Sequence, residues 1–145
     1  MALGPYHTGP CYSLNPMDWD ALIAAAAAAR ANAYAPYSRF PVGAAILMED
    51  GSIHAAANVE NGIPALSICA ERNAIAAAAS AGLRQPQAVA VVTATSPPSR
   101  PCGLCRQTLA EFAEDLPIVM VNLDGEREET TLAEIFPQAF RFRDV

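Results

Sequence analysis

The sequence has no lysine, so its nine basic residues are all arginine, set against 15 acidic ones for a formal net charge of −6. Those arginines, Arg30, Arg39, Arg72, Arg84, Arg100, Arg106, Arg127, Arg141 and Arg143, are scattered along the chain. Without a clustered basic face a nucleic-acid backbone has nothing to hold, which excludes nucleic acid as a main partner. Aromatic residues are scarce, at 7%, and alanine supplies about a fifth of the chain. The 52% hydrophobic content therefore does not stand for a core of large side chains. Any core must rely on small side chains and close backbone approach. No run of ~18 apolar residues is present, and the alanine stretch 24–29 is too short to cross a bilayer, so no membrane role is expected. Residues 1–10 lack the basic and apolar regions of a signal peptide. A soluble, cytoplasmic protein is expected, in which Cys11, Cys69, Cys102 and Cys105 are thiols or metal ligands rather than disulfides.

The 145 residues fit one domain, since domains cluster near ~100–150 residues, and the apolar content excludes a disordered chain. The reading is a single domain over 1–145, with 1–14, rich in proline and glycine, as a flexible N-terminal extension. Asn15 ahead of Pro16 predicts a helix start, continued by Trp19, Leu22, Ile23 and Ala26 at helical spacing to about Ala33. Segments 42–49 and 52–60 flank Asp50-Gly51, a hairpin signal. Ser67 is read as the cap of a second helix that Gly82 ends. A valine-rich strand over 87–95, a loop over 96–101 and a third helix over 102–113 follow. Segment 117–122 reads as a buried strand, the acidic stretch 126–129 as a solvated loop, and 132–136 as a closing helical turn. This order predicts a three-layer α/β/α fold around a central mixed sheet, with its two later strands arriving through crossovers.

Two segments carry chemistry. Cys69-Ala70-Glu71-Arg72 falls in the first turn of the second predicted helix, and Pro101-Cys102-Gly103-Leu104-Cys105 in the first turn of the third. Residues three apart share a helix face, so Cys102 and Cys105 can grip one ion, with Cys69 as a third ligand. Helix N-termini favour thiolate over thiol, and thiolates in this pattern favour zinc, one per chain. Three protein ligands leave a position for water, which marks a catalytic rather than a structural site. Glu71 is placed to move that water's proton rather than to bind metal. Arg72 can offset the excess negative charge by donating to the thiolates. Taken singly, Cys102 with Cys105 also fits a redox pair, and Cys69 with Glu71 fits a buried cysteine beside a helix-start carboxylate. Asn58 and Glu60, two apart, share one strand face and suit a diol, or are ordinary solvent-facing residues. Cys11, His7 and His54 read as bystanders.

These segments, together with Ala35-Pro36-Tyr37-Ser38-Arg39-Phe40-Pro41-Val42-Gly43-Ala44-Ala45, Asn58-Val59-Glu60-Asn61, Cys105-Arg106-Gln107 and Phe136-Pro137-Gln138-Ala139-Phe140, resemble the short, homotetrameric, three-cysteine class of cytidine deaminases. The resemblance runs from about Asn15 to Phe140. It implies zinc on Cys69, Cys102 and Cys105, and Glu71 as proton shuttle. The implied reaction is hydrolysis of cytidine or deoxycytidine to uridine or deoxyuridine plus ammonia, in pyrimidine salvage. Phe40 would pack on the pyrimidine, Asn58 and Glu60 would bond the ribose, and the Ala70 backbone would read the base edge. Phe140 would enter the site of a neighbouring subunit; by residue type alone Phe40, Phe136 and Phe140 read as core aromatics. Two positions depart from the family pattern: Pro64 stands where a tyrosine is usual, and Arg100 where serine is common. Pro64 implies a stiffer, more apolar loop, and Arg100 either approaches an anionic group on the substrate or points to water. These departures keep open the same chemistry on another cytosine compound, such as blasticidin S or a modified nucleoside. A non-catalytic zinc-stabilised relative is the third reading.

Overall fold

The computed structural model describes residues 18–142. The first helix, α1, spans Trp19–Arg30, and the Asp18 carboxylate caps it by accepting from the Ala21 N–H at 3.2 Å. An aspartate oxygen there satisfies one of the helix's unpaired donors, so the start expected at Asn15 and Pro16 moves to Asp18 and Trp19. Asn15 and Pro16, like His7, Cys11 and the whole of 1–14, lie outside the described residues.

Strands β1 (Gly43–Met48) and β2 (Ile53–Ala57) form the expected hairpin, antiparallel in register from Gly43↔Ala57 to Leu47↔Ile53. The loop is longer than Asp50-Gly51 alone. Gly51 N donates to Met48 O, Met48 N donates to Ser52 O, and Gly51 adopts φ +83°, so a three-residue loop ends on a left-handed glycine. After β2 the chain makes one tight turn at Pro64–Leu66 and then enters α2 (Ala70–Ser80). Cys69, not Ser67, is the N-cap residue. Ile68 pairs with Val59 in an antiparallel bridge, which holds 67–68 extended and delays the helix. Gly82 ends α2 as expected: with φ +93° it lets Leu83 N bond back to Ala78 O.

Strand β3 (Pro86–Val92), helix α3 (Gly103–Ala110), strand β4 (Pro117–Val121) and helix α4 (Leu132–Ile135) follow the predicted order with shorter limits. The solvated loop expected over 126–129 is corrected: Arg127–Thr131 is β5, paired antiparallel to β4. Its charged residues belong to a sheet edge, where charge guards unpaired backbone groups, and that is why it reads as a loop.

The sheet order is β2-β1-β3-β4-β5. β1 is antiparallel to both β2 and β3, so β2 and β3 run parallel, as do β3 and β4. Helices α2 and α3 are the two crossovers. Both therefore begin at the same end of the sheet, where β1 also starts and β2, β3 and β4 finish. Side chains alternate along each strand. Ala45, Ala88, Ala90, Val92, Val119 and Val121 pack with Leu22 and Ala26 of α1. Ile46, Met48, Val89, Val91, Ile118 and Met120 pack with Ile75 of α2 and Leu109 of α3 on the other face. The result is the three-layer α/β/α architecture, with a mixed five-stranded sheet.

Candidate metal centre

Because α2 and α3 start side by side, their N-cap residues, Cys69 and Cys102, meet. Their sulfurs are 3.7 Å apart, and Cys102 Sγ lies 3.4 Å from Cys105 Sγ one turn into α3. All three sulfurs fall within 4.8 Å of one another. Cys105 is buried, Cys69 is half-buried and Cys102 is exposed. Hydrogen bonding from Cys105, then from Cys102, with help from Arg72, pulls Cys69 down to about 5. Cys105 moves the opposite way, chiefly because its proton serves Cys69 and then because it is buried. With Cys69 favoured as a thiolate and Cys105 held as a buried thiol, the cluster lacks positive charge. A soft divalent cation supplies it.

Arg72 answers part of that need. Its Nη2 donates to Ser67 O at 2.8 Å, while its buried Nε has no hydrogen-bond partner. An orphaned guanidinium N–H beside Cys69 suits a metal-held thiolate, so the residues present fit the zinc that their donor set implies. Glu71, 4% exposed, sits in the first turn of α2 with Cys69 and Arg72 as charged neighbours and Cys105 as a hydrogen-bond partner. Burial raises its pKa, and the Cys69 charge adds to the effect. A carboxyl poised in this way both takes up and gives back a proton.

The same end of the sheet gathers the other expected residues. Asn58 follows β2, and its amide clips the segment leading into β1: Oδ1 accepts from Val42 N at 2.9 Å and Nδ2 donates to Phe40 O at 2.9 Å. Glu60 Oε2 accepts from Tyr37 N at 2.9 Å and Ser38 N at 3.2 Å, and hydrogen bonds from Ser38 hold its pKa down. Both side chains thus point to the segment that carries half-buried Phe40, as residues two apart on one face should. Asn58 keeps one N–H and one lone pair, and Glu60 keeps Oε1, without a protein partner among the described residues. Ala70 is buried at the first helical position of α2. Phe140 is not a core aromatic: it is 70% exposed, whereas Phe136 packs against the core. Pro64 opens the tight turn at Pro64–Leu66. Arg100 is exposed, and its guanidinium pairs with Glu128 on β5.

Two residues just past Cys105 have roles that residue type alone does not reveal. Gln107 takes both backbone groups of Phe140, with Nε2 donating to its carbonyl at 2.8 Å and Oε1 accepting from its N–H at 2.9 Å. Arg106 donates to Pro101 O at 2.7 Å and to Ile135 O at 2.9 Å. Their one signal is position, directly after a ligand in the Cys105-Arg106-Gln107 segment. Hollows of about 490 Å³ beneath residues 136–141 and about 620 Å³ between α1 and β2 lie away from the thiols. No helix among the described residues is long and apolar enough to cross a membrane.

Residues 17–121 match the family model for the cytidine and deoxycytidylate deaminase zinc-binding region. A cytidine deaminase of Sporosarcina psychrophila is 48% identical over 89% of this chain and 96% of that protein. A blasticidin-S deaminase of Bacillus cereus is 33% identical over 66% of this chain and 74% of its own length. Among solved structures, a cytidine deaminase from Burkholderia pseudomallei superposes with a TM-score of 0.82 at 45% identity, covering 86% of this chain and all of that one.

Proposed function

The chain belongs to the cytidine and deoxycytidylate deaminase family, and from that premise we propose that it is a zinc hydrolase converting cytidine or deoxycytidine and water to uridine or deoxyuridine and ammonia. The observation that carries the reading is the meeting of Cys69, Cys102 and Cys105 at two adjacent helix starts, with buried Glu71 among them. Those cysteines would hold one zinc per chain. When bound, the ion supplies Lewis acidity that lowers the pKa of water. Glu71 takes the proton from the attacking water and delivers it to the ring nitrogen as C4 becomes tetrahedral. It then takes the proton of the new C4 hydroxyl and gives it to the departing amine, so that the C4 carbonyl forms as ammonia leaves. Arg72 steadies the Cys69 charge. Phe40 covers the pyrimidine, Ala70 offers its backbone to the base edge, and the free valences of Asn58 and Glu60 receive the ribose. The bonds those two residues already make to residues 37–42 would hold the Phe40 segment against the sugar.

Assembly as a homotetramer, with Phe140 completing a neighbour's site, is part of the same proposal. It is supported by the exposure of Phe140 and of Leu66 and Leu104 near the ligands, apolar surface that association would cover. A cytoplasmic place in pyrimidine salvage accords with a thiolate site that needs reducing surroundings. The identities favour cytidine over blasticidin S, 48% over most of the chain against 33% over two-thirds of it.

The test is loss of cytosine absorbance with cytidine, deoxycytidine and blasticidin S as separate substrates of the zinc-loaded chain. Cytidine and deoxycytidine should be turned over, and Glu71→Gln should lower turnover by about 10² or more while zinc content stays the same. Turnover of blasticidin S alone would select the other substrate. No turnover of any of the three, or near-normal turnover by Glu71→Gln, sinks the assignment.

A further inference from the structure

Cys102 differs from the other two thiols in what holds it. Cys105 is buried inside α3, and Cys69 is half-buried beside Arg72. Cys102 is exposed, lies outside the helix as its N-cap, and among the described residues has as side-chain partners only the sulfurs of Cys69 and Cys105. Its position is therefore set by backbone, and the peptide before it is the one that Arg106 grips. Arg106 Nε donates to Pro101 O at 2.7 Å, and Nη1 of the same guanidinium donates to Ile135 O at 2.9 Å. Ile135 is the last residue of α4, a place where main-chain carbonyls lack helical partners and welcome a cation. This arginine is committed to two neutral carbonyls and, among the described residues, to no carboxylate.

We propose that Arg106 is a positioning residue for the metal site: it locks the Pro101–Cys102 peptide against the end of α4, so that Cys102 is presented ready to ligate. The inference rests on the zinc reading above. Arg106 touches neither metal nor substrate. Its planar fork satisfies two acceptors in a fixed relation, which lysine, a single rotating ammonium, cannot reproduce. Without the fork the Pro101 carbonyl is free to turn, Cys102 samples positions away from the other two sulfurs, and zinc departs sooner. The contacts proposed for the pyrimidine face and the ribose, which come from residues 37–42 and from Asn58 and Glu60 after β2, stay as they are.

The experiment compares zinc-loaded wild type, Arg106→Lys and Arg106→Met in transfer of zinc to a colorimetric chelator, alongside steady-state kinetics and thermal melting of the metal-free proteins. Arg106→Lys should release zinc about tenfold faster, in the range found for residues that orient metal ligands. With zinc in excess its KM should stay within about twofold of wild type, since uniform substrate binding is untouched. Should Arg106→Met fail to fold, the lysine variant decides alone. Wild-type zinc release by Arg106→Lys, with only its melting temperature lowered, overturns the proposal, because a merely structural role predicts that result. The chelator comparison needs no substrate. A wild type that binds zinc but deaminates nothing therefore defeats the proposed function without touching this one.

Discussion

Against α1 the sheet presents Ala45, Ala88, Ala90 and Val92, whereas against α2 and α3 it presents Ile46, Met48, Val89, Ile118 and Met120. Small residues bring backbones close, and α1 rides so near β1 that a Cβ on Gly43 would lie 2.0 Å from the Ala26 carbonyl oxygen and 2.7 Å from Arg30 Cβ. Larger residues of the sheet face α2 and α3, and it is those helices whose N-terminal ends carry the thiols and Glu71. The alanine-rich face is thus a stiff floor with no chemistry of its own. Among the described residues it is tied to the site through Arg30 Nε, which donates to Pro41 O at 3.0 Å beside Phe40. The opposite face is packed by interlocking side chains, and its geometry is the geometry of the metal site.

If this contrast is right, the floor should fail by overfilling. Gly43→Val forces α1 off β1 against backbone atoms that have no room to give. It should remove most of the stability of a domain of this size, which is only ~5–15 kcal/mol. Urea unfolding monitored through Trp19 reads this directly. A cooperative transition within about 1 kcal/mol of wild type would mean that α1 is not closely seated.

The next pair sharpens the contrast, because it removes the same volume from each face. Leu22 lies 1% exposed under α1, and Leu109 lies fully buried on α3, four residues past Cys105. Each Leu→Ala change should cost about 2–5 kcal/mol through lost burial and the cavity left behind. The difference lies in function. Leu109→Ala should also speed zinc transfer to a chelator severalfold, because α3 loses its seat, whereas Leu22→Ala should leave zinc release and the kcat of folded enzyme unchanged. Equal zinc release from the two variants would erase the functional distinction between the faces.

Much of this was legible from the residues in order. Short, nearly unbroken apolar runs within 87–95 and 117–122 told of buried strands, and the two cysteine segments at helix starts told of a thiol cluster able to hold a metal. What escaped depends on partners far along the chain. Ser67 has the chemistry of a helix cap, yet the Val59–Ile68 bridge holds its neighbour extended and the cap moves to Cys69. Strand β5 has no apolar residue to signal it, because an edge strand is defined by its partner β4. Arg106 and Gln107 reach main-chain atoms 29 and 33 residues away, and no local pattern encodes such bonds. Asn58 and Glu60 were visible as a pair, but their hold on residues 37–42 was not. A face shared by two residues says nothing of what lies opposite it.

The smallest effect bears on substrate charge at the site-bearing end. Arg100 stands two residues before Cys102 and pairs with Glu128, the two side chains being 50% and 33% exposed. A pair so open to solvent contributes no more than about 1 kcal/mol, and its field is matched locally and screened by salt. Arg100→Ala should therefore leave the KM for cytidine within about twofold of wild type at low and at high salt. Glu128→Ala is the more informative change. It strips Arg100 of its partner and leaves a bare cation near the ligands, so binding of an anionic nucleotide should improve relative to the neutral nucleoside, most of all at low salt. The opposite pattern would break the picture of a neutral mouth. If Arg100→Ala in otherwise unaltered protein raised the KM of a nucleoside monophosphate severalfold and spared cytidine, the ion pair would be opening to receive phosphate. The large-residue face would then read substrate charge as well as hold the metal.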